Sequence, residues 1–533
     1  MKNQLFAFLV VGALFQAPHA QDSFNYDVLI EALEVPGVVG LHSYVTAQHE
    51  GKWLIIGGRR DGIHARQPFN AFPQNNNNNL LFVIDPINAQ FWSAPLTALS
   101  APIAEQLQST NMNFYQDDDT LYIIGGYAYS PTVADHITFD KLTTVQVSSV
   151  INAVINGESI APHIKQTSNV IFANTGGQLG KIGDSFYLVG GQRFDGRYNP
   201  MNNPTFTQTY HTKIQKFKIN NSGSQPAFSE YEEIVDAIHL RRRDYNLMAQ
   251  IFADGTFGYM ISSGVFQMTT DLPFLYPVEI KANGFEAYTA YNQYLSHYHA
   301  AKLPIYDANN NQSHNLFFGG MSQYYYQNGV LVQDNNVPFV RTVSRFTRNA
   351  DGSYQEYVLP IEMPGLKGAG SEFIPHYGAS YINGEILDMN ALEGDTILVG
   401  YIYGGILSNS LHPFTNNQTN TTSADASIYM VKLVRNNASS HIPVESSNPY
   451  SIRVYPNPTE KDITIEIDMT KAKNARYLIT SVSGQVLQEG ELLELKLNNK
   501  EKIRIDRKLE PQVLMLTVII DGKYFLQEKI MKK

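Results

Sequence analysis

The chain of 533 residues contains no cysteine. That excludes disulfides, thiolate metal sites, cysteine nucleophiles and cysteine-bound cofactors. Apolar burial and strand pairing must hold the fold instead. Tryptophan is nearly missing, at two residues. Charge is sparse: Asp, Glu, Lys and Arg make up 17%, against 43% hydrophobic residues, so the composition is not that of a disordered chain. Positive charge is in deficit, with a net of −10. Nucleic acid is therefore not an expected partner, because phosphate recognition needs a basic surface. Past the first residues, no apolar run approaches the roughly 20 positions that a membrane-spanning helix requires. No Gly-x-Ser-x-Gly elbow and no P-loop is present.

What the chain does have is repetition. Five apolar runs end in two glycines: Trp53–Gly58, Leu121–Gly126, Phe186–Gly191, Leu316–Gly320 and Tyr401–Gly405. Gly258–Gly264 is a sixth, with Ser263-Gly264 in place of the pair. The steps between them are 68, 65, 73, 56 and 85 residues. A signature recurring at such spacing marks a repeat architecture. Each run is apolar at consecutive positions, as a strand buried on both faces is. Glycine at its end permits close backbone approach. Turn residues precede the runs (Glu50-Gly51, Asp117–Asp119, Gly183-Asp184, Asp254-Gly255, Asn309–Asn311, Glu393–Asp395). Further strands follow, as in Leu80–Asp85 then Gln90–Ser93, and Thr212–Ile219 then Phe228–Ile234. Four antiparallel strands per unit is the pattern of a propeller blade.

This order of hairpin, apolar strand, Gly-Gly, loop, strand, Asp85-Pro86 and aromatic strand resembles Kelch repeats over roughly residues 25–436. The resemblance implies an all-β fold: a six-bladed β-propeller over 21–436, followed by a smaller domain. The sixth unit lacks a fourth strand, and the segment 24–33 has strand character. It is expected to pair there and close the ring, leaving no free edge at the seam.

The two ends carry targeting signals. Residues 1–20 read as a signal peptide, with Lys2, an apolar core over Leu5–Phe15, and Ala20 before a cut at Gln21. Residues 437–450 are Asn- and Ser-rich and read as a linker. From Ser451 the balance turns mildly basic: 15 of the 39 Lys/Arg and 12 of the 49 Asp/Glu lie there. Alternating strands over 451–533 indicate a small β-sandwich. Val454-Tyr-Pro-Asn-Pro458, the turn at Ser483-Gly484-Gln485 and the basic last residues are similar to the C-terminal sorting domain of type IX secreted proteins from Bacteroidetes-type bacteria. An Ig-like or carbohydrate-binding accessory module is the alternative. The resemblance implies export to the outer-membrane surface or beyond, with the type IX secretion machinery as a partner.

Candidate site residues sit where first strands start, facing a central channel: His42, Asn111, Asn113, Gln178, Arg243, His297, His299 and His376. They could hold a ligand or simply satisfy one another as buried polar groups do. His297 and His299, two apart, would point to one face of a strand, but no third ligand stands beside them, so no metal is assigned. Loops after the glycines offer Arg59, Arg193 and Tyr325, residue types suited to protein or sugar recognition. A Kelch-type copper-radical oxidase needs a cysteine–tyrosine crosslink and is excluded. So is a sialidase, for want of Ser-x-Asp-x-Gly-x-Thr-Trp repeats. The expectation is a secreted, monomeric, cofactor-free protein that recognises a glycan or protein without catalysis. The alternative is a sugar mutarotase or epimerase using Arg243, His299 and His376 in the channel, resembling Kelch-type sialic acid mutarotases.

Overall fold

The computed structural model describes residues 23–533 except 201–204, 328, 437–440, 445–447, 469–471, 494, 496–498 and 507–508. The expected signal peptide, 1–20, lies outside the described residues. The fold is all-β, with 50% of residues in strands and 8% in helices. Among the described residues, no helix is long and apolar enough to cross a membrane.

Among the described residues, 26–435 build six antiparallel sheets in which four strands run side by side. Their innermost strands are Val45–His49, Asn113–Asp117, Gln178–Ile182, Asn246–Ile251, Lys302–Asp307 and Glu372–Pro375. In the first five sheets the other three strands follow in chain order. The sixth takes its outer strand from the far end of the sequence, where Tyr26–Leu33 pairs antiparallel with Ile428–Arg435. The fifth sheet is extended: Ile442–Val444, within the expected linker, adds to its outer edge. Ile386–Asp388 adds in parallel to its inner edge.

Side chains alternate between the faces of each strand, which explains why the runs before the glycines are apolar throughout. Leu54 and Ile56 pack with Leu121 and Ile123 of the second sheet. Trp53 and Ile55, pointing the other way, pack with Tyr401 and Tyr403 of the sixth. Further apolar clusters join the second sheet to the third, the third to the fourth, the fourth to the fifth and the fifth to the sixth. The packing order is thus cyclic.

The glycines make the seams between sheets. The N–H of the second residue of each pair donates to a carbonyl of the next sheet: Gly58 to Ser109, Gly126 to Asn174, Gly191 to Arg242, Gly264 to His297, Gly320 to Lys367 and Gly405 to Leu41, at 2.7–3.2 Å. In the five seams that begin with glycine, the first residue lies against the same carbonyl. A Cβ on Gly125 would sit 1.8 Å from the Asn174 oxygen, and on Gly404 2.3 Å from that of Leu41. Both members have positive φ. Ser263 holds the first position of the fourth seam with φ 59°, and its hydroxyl donates to the Phe274 carbonyl at 2.6 Å. That seam has the longest hydrogen bond of the six, 3.2 Å.

Past Ser451, Arg453–Tyr455, Asp462–Glu466 and Lys500–Arg504 form one sheet. Val486–Glu491, Ala475–Ser481, Gln512–Ile520 and Tyr524–Lys532 form another, and both share one core. This unit docks on the fourth sheet. Phe525 packs edge-on against Tyr276 at 4.8 Å, and Gln527 reaches His239 at 2.8 Å. Gly484 has no room for a side chain, since a Cβ would lie 2.5 Å from the Asp236 Cα.

Candidate functional site: the central channel

Two residues after each seam acceptor, in five of the six sheets, the chain enters a second, inner cycle of backbone hydrogen bonds. Asn111 donates to Ser43, Gly176 to Asn111, Asp244 to Gly176, His299 to Asp244, Gly370 to His299 and Ser43 to Gly370, at 2.7–3.2 Å. One residue from each sheet takes part and the cycle closes on itself. It encircles the start of a channel lined by the six innermost strands.

A cavity of about 240 Å³ lies in that channel. Its wall mixes apolar side chains with amides, several of which are tied to backbone groups. The Gln178 amide donates to the Tyr245 carbonyl, while its oxygen accepts from the Leu247 N–H, so it ties the third innermost strand to the fourth. Gln116 does the same with both backbone groups of Gln48. The Asn113 amide donates to the carbonyls of Ile124 and Asn174.

Besides Asp244, which is paired with Arg243, two groups of ionisable residues remain. Glu372, nearly buried, opens the sixth innermost strand. His299 Nε2 stands 2.9 Å from its Oε1, an ion-pair contact not aligned as a hydrogen bond. Lys302 Nζ stands 3.9 Å from its Oε2. Burial would raise the Glu372 pKa, but the charges of His299 and Lys302 hold it below the ordinary value. At the other end, Glu385 Oε2 accepts hydrogen bonds from the hydroxyls of Tyr259 at 2.9 Å and Tyr115 at 3.2 Å. These tyrosines come from the fourth and second sheets, and Glu385 from the loop preceding the long strand of the sixth. A turn at Asn383-Gly384, both with positive φ, sets Glu385 between them. Burial pushes its carboxyl up to about 7, against the pull of the two hydroxyls and Lys302. Gln48, Tyr115, Gln116, Pro375, Gly384 and Glu385 also line a wider depression of about 710 Å³ at this end.

The expected site residues do not all meet. Asn113, Gln178 and His299 line the cavity, as does Asn111. His42 lies outside it, buried on the glycine-loop side with Nε2 3.9 Å from Asp61. Arg243 is also on that side, paired with Asp244 and donating to the Tyr210 hydroxyl at 3.1 Å. His297 and His299 precede the innermost strand and do not share a face. The His297 carbonyl serves the seam, and its ring is fully buried between the Gln293 carbonyl and the Gln323 N–H. Burial pulls its pKa down to about 4. His376 is at the opposite end, because the sixth innermost strand is Glu372–Pro375 and His376 follows it. It lines the depression, 3.4 Å from the Tyr401 hydroxyl. Arg59 is not a free loop residue: it is 2% exposed, held by Asp61, Asn77 and the Pro73 carbonyl. Arg193 pairs with Asp195 at 2.6 Å, half exposed. Tyr325 sits on the hairpin strand Tyr324–Gln327, away from the channel lining. The trio Arg243, His299 and His376 therefore does not assemble into one site. Asp244, Glu372, Lys302, Glu385, Tyr115 and Tyr259, none of them singled out from the sequence, do line the cavity. Asn383-Gly384 was the one local signal, a turn dipeptide that places Glu385.

The all-β body with a polar central channel carries a recognised module at its end. Residues 453–533 match the family described as a secretion system C-terminal sorting domain. This domain marks proteins that the type IX system secretes to the cell surface or beyond, and that is where this chain is sent. No curated protein matches the chain. Among solved structures, that of YjhT aligns over 77% of this chain and 99% of its own, at 11% identity and a TM-score of 0.42.

Proposed function

We propose that residues 24–435 are a six-bladed, Kelch-like propeller and 451–533 a β-sandwich sorting domain, and that the exported propeller recognises a glycan through its central channel. The observation that carries this reading is the meeting of two polar clusters, Glu372–His299–Lys302 and Glu385–Tyr115–Tyr259, in one cavity. Orienting carboxylates and hydroxyls beside aromatic rings suit a hydroxyl-rich ligand. The volume, about 240 Å³, is below the ~300–1,000 Å³ of pockets for drug-sized ligands and suits a single sugar ring. The depression at the Glu385 end is the way in.

Ligand-observed NMR with a panel of monosaccharides and glycan termini tests this. Binding that is lost in Glu372→Gln and kept in Arg193→Ala places the ligand in the channel. Binding lost in Arg193→Ala and kept in Glu372→Gln moves it to the loops and sinks the channel reading.

A second reading, a sugar mutarotase or epimerase, has one observation in its favour. Glu385 is held near neutrality while Glu372 is held as a carboxylate, and such a split suits an acid and a base. Anomer exchange followed by NMR, accelerated by wild type and not by Glu385→Gln, would establish it.

A further inference from the structure

We infer that the channel selects neutral sugars and rejects their carboxylated counterparts; this rests on the channel reading above.

The basis is where the charges stand. Three carboxyl groups line the cavity: Asp244, Glu372 and Glu385. Of the residues lining it, only Lys302 and His299 can be cationic, and both stand against Glu372. Arg243, just outside, is already bound to Asp244. A ligand carboxylate would compete with Glu372 for Lys302 while lying in the field of Glu385. Recognition of such an anion calls for a bidentate arginine or a cation with no acidic partner. A neutral sugar needs only donors and acceptors for hydroxyls, and Glu385, Glu372 and the two tyrosines supply them.

The approach is biased the same way. The depression leading to Glu385 is lined by Glu50, Asp117 and Asp118, against one lysine, Lys181, which is bound to Asp117 at 2.6 Å. His49 at its rim faces Asp119 at 3.7 Å and Glu50 at 4.0 Å. A cleft lined with one sign of charge lowers the local concentration of ions of that sign. The part of the chain before Ser451 carries 37 of the 49 acidic residues but only 24 of the 39 Lys and Arg, so the wider field agrees.

Isothermal titration of the full chain at pH 7.5 tests the inference with matched pairs: glucose against glucuronate and galactose against galacturonate. The expected result is at least about tenfold tighter binding of the neutral member of the pair that binds best. In Glu385→Gln, with its fold checked by circular dichroism, the ratio shrinks by about threefold or more as one repelling charge is removed. A uronate binding as tightly as its neutral partner overturns the selectivity and leaves the channel reading standing. A ratio unmoved in Glu385→Gln overturns the electrostatic cause. Absence of binding by every sugar, neutral or charged, overturns the channel reading itself.

Discussion

The six seams and the six channel positions lie only two or three residues apart in the chain, yet they follow opposite rules. Every seam uses one arrangement: a positive-φ pair whose second N–H bonds the next sheet's carbonyl. The acceptor can be leucine, serine, asparagine, arginine, histidine or lysine, because only its carbonyl is used. The channel cycle also uses backbone alone, but the side chains that follow it inward differ in each sheet. Repetition therefore marks what closes the body, and divergence marks where a ligand can be told apart. His297 and His299 condense the contrast into three residues. The first gives a carbonyl to a seam, the second a ring to the cavity.

The largest effect should come from breaking a seam. Gly125→Ala would drive a Cβ to 1.8 Å from the Asn174 carbonyl in a backbone conformation with φ +69°, and neither neighbour is a flexible side chain. The expected outcome is a chain that fails to fold or loses more than about 4 kcal/mol, read from soluble yield and urea unfolding. Gly183→Ala is the matched comparison. Its φ is +58°, but nothing lies within 4 Å, so only the backbone cost of about 1 kcal/mol remains. Equal losses in the two variants would mean that the seams do not depend on close approach.

Next come two carboxyl groups held off their ordinary value, one in the channel and one in the body. Burial raises Glu385 to about 7 and Glu356 to about 8, the latter accepting from the Tyr294 and Leu295 N–H groups. For an acid whose folded pKa is raised, the proton is held more tightly in the folded state. Stability is thus highest below the unfolded pKa and falls as pH rises through the folded one. Wild type should lose stability from about pH 4.5 to 8. Glu356→Gln should remove the larger part, of order 3 kcal/mol, and Glu385→Gln the part ending near pH 7, of order 2 kcal/mol because Glu385 is partly exposed to the cavity. Denaturant unfolding across that range checks both. A profile unchanged in Glu385→Gln would remove it as a buried acid.

The contrast also explains what could be read in advance. The glycine ladder, the doubly apolar strands and the strand-forming segment that becomes Tyr26–Leu33 were legible, because each expresses a local rule of backbone or burial. The channel was legible only in part. In five of the six sheets, three successive residues have different duties: a carbonyl for the seam, a bridge to the glycine loop, and a place in the inner cycle. A shift of one residue exchanges them, so His42 and Arg243, at the bridge position, were expected in a cavity they do not enter. His376 lies outside that cavity for a related reason, since the sixth innermost strand begins four residues before it. Glu385 lies in a loop between strands, and its neighbours Tyr115 and Tyr259 are 270 and 126 residues away, a meeting that no local pattern announces.

The smallest effect tests the irregular seam. Ser263→Gly would restore the pair found at the other five. It removes a Cβ from a φ of 59°, a gain of about 1 kcal/mol, and lets the His297 carbonyl approach the Gly264 N–H more closely than 3.2 Å. It also deletes the hydroxyl bond to the Phe274 carbonyl, a loss of about 1 kcal/mol. The two nearly cancel, so a change within about 1 kcal/mol is expected in urea unfolding. Ser263→Ala separates them, because it keeps the Cβ and loses the bond, and it should be the less stable of the two by about 1 kcal/mol. If Ser263→Ala matched wild type while Ser263→Gly was clearly destabilised, the serine would be holding the turn through its Cβ, and the fourth seam would be a different device from the other five.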